Sequence, residues 1–435
     1  MSASIIERVS DDGDRRQRED QRKDQWMNSF VDDNDQTVME LSDHSSMFIP
    51  DDQTFFRAAV SLKNQVVEMT WKDKGKTESQ EINPTIYTGL MGTAFTCFRS
   101  FQATACHLDL LLSADIVRAC ATVAHSSRNV TFLSGRGGVY ALGAVIMNYM
   151  GDHLSRDRFL DMFIEVAQEK ALPVGPEEGG FGMSYNLLCG RAGFLYAALF
   201  IKSHLGEEAV SNDLLMPVVD AILAGGRAGA SDNPSCPLMY RWHGTRFFGA
   251  AHGLAGILHV LLHFPLLEDD AEDVKNTLRY VMSKRFPKSG NYPSSDGNGR
   301  DNLVQWSHGA TSMAITLCKA SQVFPGEREF RDGAIEAGEV VWKSGLVKKV
   351  GLDDGVAGNA YAFLSLYKLT GEAVYMERSK AFASFLYHKG SKLVNAKHSG
   401  ETDHAYSLFL GLGGVACFFF DLLQPENSKF PGYEL

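Results

Sequence analysis

Several signals that would classify a chain at a glance are missing here. No stretch supplies the roughly 20 predominantly apolar residues that a membrane span needs. Arg136 and Arg191 open two of the apolar segments, His252, His259 and His263 punctuate another, and Asp421 ends the last. With a mean hydropathy of −0.15, this excludes a seven-span integral membrane receptor and leaves only peripheral attachment open. There is no CxxC pair, and the seven cysteines (97, 106, 120, 189, 236, 318, 417) are scattered singly. An odd, dispersed set excludes a disulfide framework and fits reduced thiols in a cytoplasmic protein. No basic patch with interleaved aromatics offsets the net charge of −11, which argues against nucleic acid as a partner. Strand signals are sparse, and VVEMTW near residue 66 suits a helix better. The N-terminal stretch has no apolar core of the secretory type. Its mixed charge without periodicity predicts disorder over residues 1–45, with an interaction tail as the alternative, and one domain over 46–435.

What the chain does have is a repeat. GxxG pairs recur at Gly89/Gly92, Gly135/Gly138, Gly190/Gly193, Gly253/Gly256, Gly355/Gly358 and Gly411/Gly414. Between the fourth and the last two lies SHGATSMAITL, where Gly309 keeps the first place and Ser312 takes the second. Successive first glycines are 46, 55, 63, 56, 46 and 56 residues apart, a period suited to stacked helical hairpins. Each pair opens an apolar segment of about three helical turns. Between the pairs lie amphipathic patterns such as RDRFLDMFIEVAQEKAL and EDVKNTLRYVMSKRF, with apolar residues at i, i+3, i+4. One apolar and one amphipathic helix per unit predict an all-α fold, an α/α toroid of seven hairpins with the apolar helices inside. The glycines let helix starts crowd together, and they bring amide-rich helix N-termini to one shared cavity suited to anions or a metal.

The two residues before each first glycine differ between repeats. They are Tyr87-Thr88, Leu133-Ser134, Leu188-Cys189, Ala251-His252, Ser307-His308, Asp353-Asp354 and Phe409-Leu410. Titratable groups thus concentrate in repeats four to six, which a closed ring makes neighbours. His252, His308, Asp353 and Asp354 are therefore expected to converge. A single histidine there is ordinarily a cap or a satisfied core residue; two histidines and two acids at equivalent places make a candidate site.

Four stretches carry a family resemblance: CPLMYRWHGTRFFGAAHGLAG (236–256), FPKSGNYPSSDGNGRDNLVQWSHGA (286–310), VGLDDGVAGNAYAFLSLYKLTG (350–371) and the C-terminal run from Ala405 through FPGYEL. Over residues 55–435 the chain resembles the LanC-like proteins, eukaryotic relatives of the bacterial lanthionine synthetase cyclases, and most closely their plant members. The resemblance implies an α/α barrel of seven hairpins. It also implies, for active members, a zinc ion held by a Cys in a WCHG motif and a Cys-His pair in a CHGxAGN motif. Such an ion activates a thiol, of a peptide in the bacterial cyclases or of glutathione in animal relatives, for addition to a dehydroamino acid. The histidine matching His252 would act as general acid or base, and that matching His308 would lie beside the metal.

Every ligand position departs from this pattern. WCHG reads Trp306-Ser307-His308-Gly309, and CHGxAGN reads Asp353-Asp354-Gly355-Val356-Ala357-Gly358-Asn359. Both thiolates are gone, and a neutral hydroxyl is a poor zinc ligand. The two aspartates could cap the following helix, worth about 1 kcal/mol, or hold a hard cation such as Mg²⁺, Ca²⁺ or Mn²⁺. No cofactor is expected, and the zinc-dependent thiol chemistry should be severely weakened. The leading expectation is a binding scaffold for a peptide, a glutathione-like molecule or a signalling partner; plant hormone signalling and membrane association come from the resemblance alone. Lys348 and Lys349 could favour an anionic ligand, or simply end a solvated loop. The alternatives are an enzyme adding thiols through His252 and His308 and, last, a toroid glycosidase, for which no second acid at suitable separation stands out.

Overall fold

The computed structural model describes residues 48–72, 82–171, 183–395 and 404–435. All of these lie in one unit, Val38–Leu435; the segment expected to be disordered, 1–45, lies outside the described residues. Among the described residues there is no strand, only two isolated bridges, Trp242–Thr245 and Phe247–Ser295. VVEMTW is helical: α1 (Asp52–Val67) continues into a π-helical turn, Glu68–Lys72.

Among the described residues, two sets of seven helices alternate along the chain. The apolar set is α2 (Leu90–Thr104), α4 (Arg136–Tyr149), α6 (Arg191–Leu205), α8 (Leu254–Leu261), α10 (Ala310–Val323), α12 (Val356–Thr370) and α14 (Leu412–Leu422). The amphipathic set is α1, α3 (His107–Ala124), α5 (His153–Val166), α7 (Asn212–Gly229), α9 (Glu268–Ser283), α11 (Arg328–Ser344) and α13 (Ala373–Asn395). The apolar helices are buried nearly all round, as in the unbroken buried run Val356–Leu366, because a helix with no polar face is stable only in an interior. Each packs on the next apolar helix, and α14 packs back on α2, so the inner ring closes. The seventh hairpin is completed from the far end of the chain: α14 pairs with α1. α8 is only eight residues long, shorter than the three turns expected, and Pro265, just past its end, cannot continue a helix.

The first glycine of each pair is the N-cap of an inner helix, at 89, 135, 190, 253, 309, 355 and 411. The loop entering each helix folds back so that its own carbonyls accept from the first-turn amides. Leu90 N–H donates to Asn83, Arg136 to Asn129, Arg191 to Ser184, Leu254 to Phe247, Val356 to Lys349 and Leu412 to Ala405. This explains the second glycine. A Cβ at Gly138, Gly256 or Gly358 would sit 1.8–1.9 Å from the carbonyl oxygen six residues earlier, which no side chain tolerates. The fifth repeat escapes because Gly309 has φ +98° and the Ala310 N–H is capped instead by the Asn291 side chain, at 3.0 Å. Ser312 can therefore replace glycine. The same geometry corrects the expectation of anion-ready helix N-termini, since much of that amide capacity is consumed by the loops.

Candidate functional site

The loops that enter the inner helices are stitched to one another by backbone hydrogen bonds around the whole ring. Tyr87 N–H donates to the Leu133 carbonyl, Phe132 to Gly193, Leu188 to Ala251, Ala250 to Trp306, Ser307 to Asp353, Asp353 to Phe409, and Phe409 to Tyr87. This belt fixes the helix mouths relative to one another. It buries the residue two before each first glycine, including Tyr87, Ser307 and Asp353, while Thr88, Ser134, Cys189, Asp354 and Leu410 stay partly exposed.

On this belt the predicted residues divide into two groups. His252 stacks on Trp242 with ring centroids 3.7 Å apart and planes 4° from parallel. Phe247 lies between the histidines, 6.2 Å from His252 and 5.8 Å from His308. Burial, then the neighbouring His308 and His243, push His252 down to about 3; burial pushes His308 down to about 4. Both imidazoles are neutral at physiological pH, and so weakly basic that neither is tuned as a general base for neutral solution.

The second group joins repeats five, six and one. The Ser307 hydroxyl accepts from the Gln305 amide at 3.0 Å and lies 3.5 Å from the Asp353 carbonyl. Asp354 accepts from the Lys349 ammonium at 2.6 Å, so Lys349 is committed to the site's own acid, while Lys348 is exposed. Asp353 is 1 % exposed, and its Oδ1 has no hydrogen-bond partner. Burial first, and the adjacent Asp354 second, push its carboxyl up to about 7, against the opposing pull of Tyr87, Lys349 and Ser307. Neither aspartate caps α12: the amides of Val356, Ala357 and Gly358 go to the carbonyls of Lys349, Val350 and Gly351. The capping alternative is thereby corrected.

Tyr87 and Trp242 went unnoticed among the candidates. Tyr87 stands at the repeat position equivalent to Ser307 and Asp353, so the register contained its signal. Trp242 sits in a tight turn outside the repeat, with Gly244 at φ +78°, and nothing in the pattern marked it as the ring on which His252 rests.

The family model described as lanthionine synthetase C-like protein matches residues 80–435. The chain is 65 % identical over 390 residues to the LanC-like protein GCL1 of Arabidopsis thaliana, covering 88 % of this chain and 89 % of that one. The chain belongs to the LanC-like family. It is also 36 % identical over 320 residues to a Danio rerio protein named glutathione S-transferase LANCL1, covering 71 % and 75 % of the two chains. Among solved structures, nisin cyclase matches in fold with a TM-score of 0.61 at 13 % identity, over 83 % of this chain and 94 % of that one. Among the described residues no helix is long and apolar enough to cross a membrane.

The family's zinc can now be tested against the residues present. Ser307, Asp353 and Asp354 offer a hydroxyl already held by Gln305, a carboxyl that ionises reluctantly and a carboxylate already neutralised by Lys349. Among the described residues no three His, Cys, Asp or Glu side chains are grouped to hold a metal ion. Zinc prefers thiolate and imidazole, and an ammonium 2.6 Å from one of the three positions opposes a second cation there. The residues do not fit zinc.

Proposed function

We propose that this LanC-like protein acts by binding through the mouth of its toroid, without the family's zinc-dependent thiol addition. The observation that carries this is the Lys349–Asp354 pair at a family ligand position, beside a serine and a second aspartate where the resemblance places a thiolate ligand at each. A thiol arriving here meets no Lewis acid among these residues to lower its pKa, and His252 and His308 are too weakly basic to deprotonate it efficiently. The occupant is a peptide, a glutathione-like small molecule or a segment of a signalling protein. A cytoplasmic scaffold in signalling, peripheral to the plasma membrane, extends this reading from the resemblance to plant members alone.

The name of the Danio rerio relative favours a second reading, in which His252 and His308 still assist addition of glutathione to a dehydroamino acid. A dehydroalanine peptide incubated with glutathione and the purified chain separates the two. The binding reading expects the uncatalysed rate; turnover would replace it with the second. The combined change Ser307→Cys, Asp353→Cys, Asp354→His is expected to restore zinc uptake, showing that the scaffold persists and the donors were lost.

A further inference from the structure

We infer that the segment Phe430–Leu435 is an internal strut that positions the mouth of the toroid from below. It acts through Leu133, Trp306 and Phe409, all three members of the backbone belt. The Leu133 carbonyl accepts from the Tyr87 N–H, the Trp306 carbonyl from Ala250 and the Phe409 carbonyl from Asp353. All three side chains are fully buried, and they rest on the segment. The Trp306 ring stacks on Phe430 at 5.4 Å and meets Tyr433 edge-on at 5.5 Å. Phe409 lies 6.3 Å from Phe430. Between Phe430 and Tyr433 the backbone turns at Gly432, with φ +75°. A Cβ there would sit 2.5 Å from Leu133 Cδ2, so glycine is what lets the turn press against the belt.

A strut must also be held at its other end. The Tyr433 hydroxyl is 2.5 Å from the Thr316 hydroxyl on α10, and its ring stacks on His259 of α8 at 4.1 Å. The Glu434 carbonyl accepts from the Tyr196 hydroxyl of α6 at 3.0 Å. Its carboxylate accepts from Ser365 and Lys368 of α12. The segment also keeps its own shape. The Phe430 carbonyl accepts from the Tyr433 and Glu434 N–H groups, and the Phe430 N–H donates back to the Glu434 carboxylate.

A few residues thus tie α6, α8, α10 and α12 to belt positions in repeats two, five and seven. Trp306 precedes Ser307 directly, and Phe409 bridges Tyr87 and Asp353 through its backbone. Satisfied networks of this kind rigidify what they touch, and local opening follows local packing. Loosening the strut should therefore loosen the mouth before it loosens the outer layer. The strut serves the mouth whatever binds there, so its failure leaves the proposed binding standing.

The test is hydrogen exchange of the full chain, read by mass spectrometry in peptides covering Ser307, Asp353 and Phe409, whose N–H groups make belt bonds. Phe430→Leu weakens the strut. Phe330→Leu is the control: it removes a fully buried ring from the outer helix α11, where Phe330 packs 6.1 Å from Phe324. Compared under conditions of equal global stability, Phe430→Leu is expected to speed belt exchange at least about tenfold, and Phe330→Leu less than about twofold. Tyr433→Phe keeps the ring and loses only the hydroxyl, and should speed belt exchange about threefold. Tyr433→Phe decides the matter where Phe430→Leu does not fold. Belt exchange that stays at the natural rate in the folded strut variants overturns the inference, as does equal acceleration in Phe330→Leu.

Discussion

Two aspartates on the inner ring, Asp353 and Asp421, are both buried, and both have their carboxyls pushed up by that burial. Their surroundings differ. Asp421, at the C-terminal end of α14, lies 3.4 Å from the Arg99 guanidinium, accepts from the Tyr361 hydroxyl at 2.8 Å and from the Lys429 N–H at 3.4 Å. Nearby, Lys368 donates to Glu434, which also accepts from Ser365 and the Phe430 N–H. At that end of the ring both acids, buried Asp421 and half-buried Glu434, have their counter-ions. At the mouth, Asp353 has a second acid beside it and only the neutral Tyr87 and Ser307 as side-chain partners. The contrast separates an acid paired with a cation from one set beside a second acid, and the better-satisfied network rigidifies more than the poorly satisfied one.

Breaking the satisfied end should have the largest effect. Asp421→Ala strands a buried guanidinium and is expected to cost on the order of 3–5 kcal/mol, read as a lowered urea midpoint; a change under about 1 kcal/mol would erase the distinction.

The matching change at the mouth has the opposite sign. The folded-state carboxyl of Asp353 titrates near 7, above its unfolded value of about 3.9. The folded chain therefore binds more protons between those values, and stability contributed by the protonated acid is lost as pH rises from 4 through 7. Asp353→Asn should stabilise the protein at pH 8 by about 1–3 kcal/mol and have little effect at pH 4. Destabilisation of the variant at pH 8 would show that the ionised carboxylate is structurally satisfied.

The smallest pair of changes sharpens the comparison. Tyr361→Phe removes a hydroxyl bonded to Asp421 at 2.8 Å and should cost about 1–2 kcal/mol, whereas Tyr87→Phe removes one whose contact to Asp353 is poorly aligned and should cost under about 0.5 kcal/mol. Equal costs in chemical denaturation would contradict the difference between the two ends.

The toroid was legible in the sequence because its cause repeats. A carbonyl crossing the first turn of each inner helix demands a small residue at a fixed place, and Gly138, Gly256 and Gly358 record that demand. The exception was legible too, although its reason, the Asn291 cap on α10, was not. Closure by α1 onto α14 was hidden because the partners lie at opposite ends of the described chain and α1 follows no GxxG pair. At the site, the repeat register brought Ser307, His308, Asp353 and Asp354 into view. It could not reveal the backbone capping of α12 that frees the two acids, nor the commitment of Lys349 to Asp354, since both depend on how the loop 349–355 folds back on itself.

The central claim is that the sulfur-bound metal of the family has no counterpart here. Metal analysis of the natural chain after dialysis against a mild chelator tests it most directly, beside the Ser307→Cys, Asp353→Cys, Asp354→His variant treated identically. The account predicts far less than stoichiometric zinc in the natural chain and close to one ion per chain in the variant, as thiolate and imidazole donors are regained. One zinc retained per natural chain, and lost on Asp353→Ala, would contradict it.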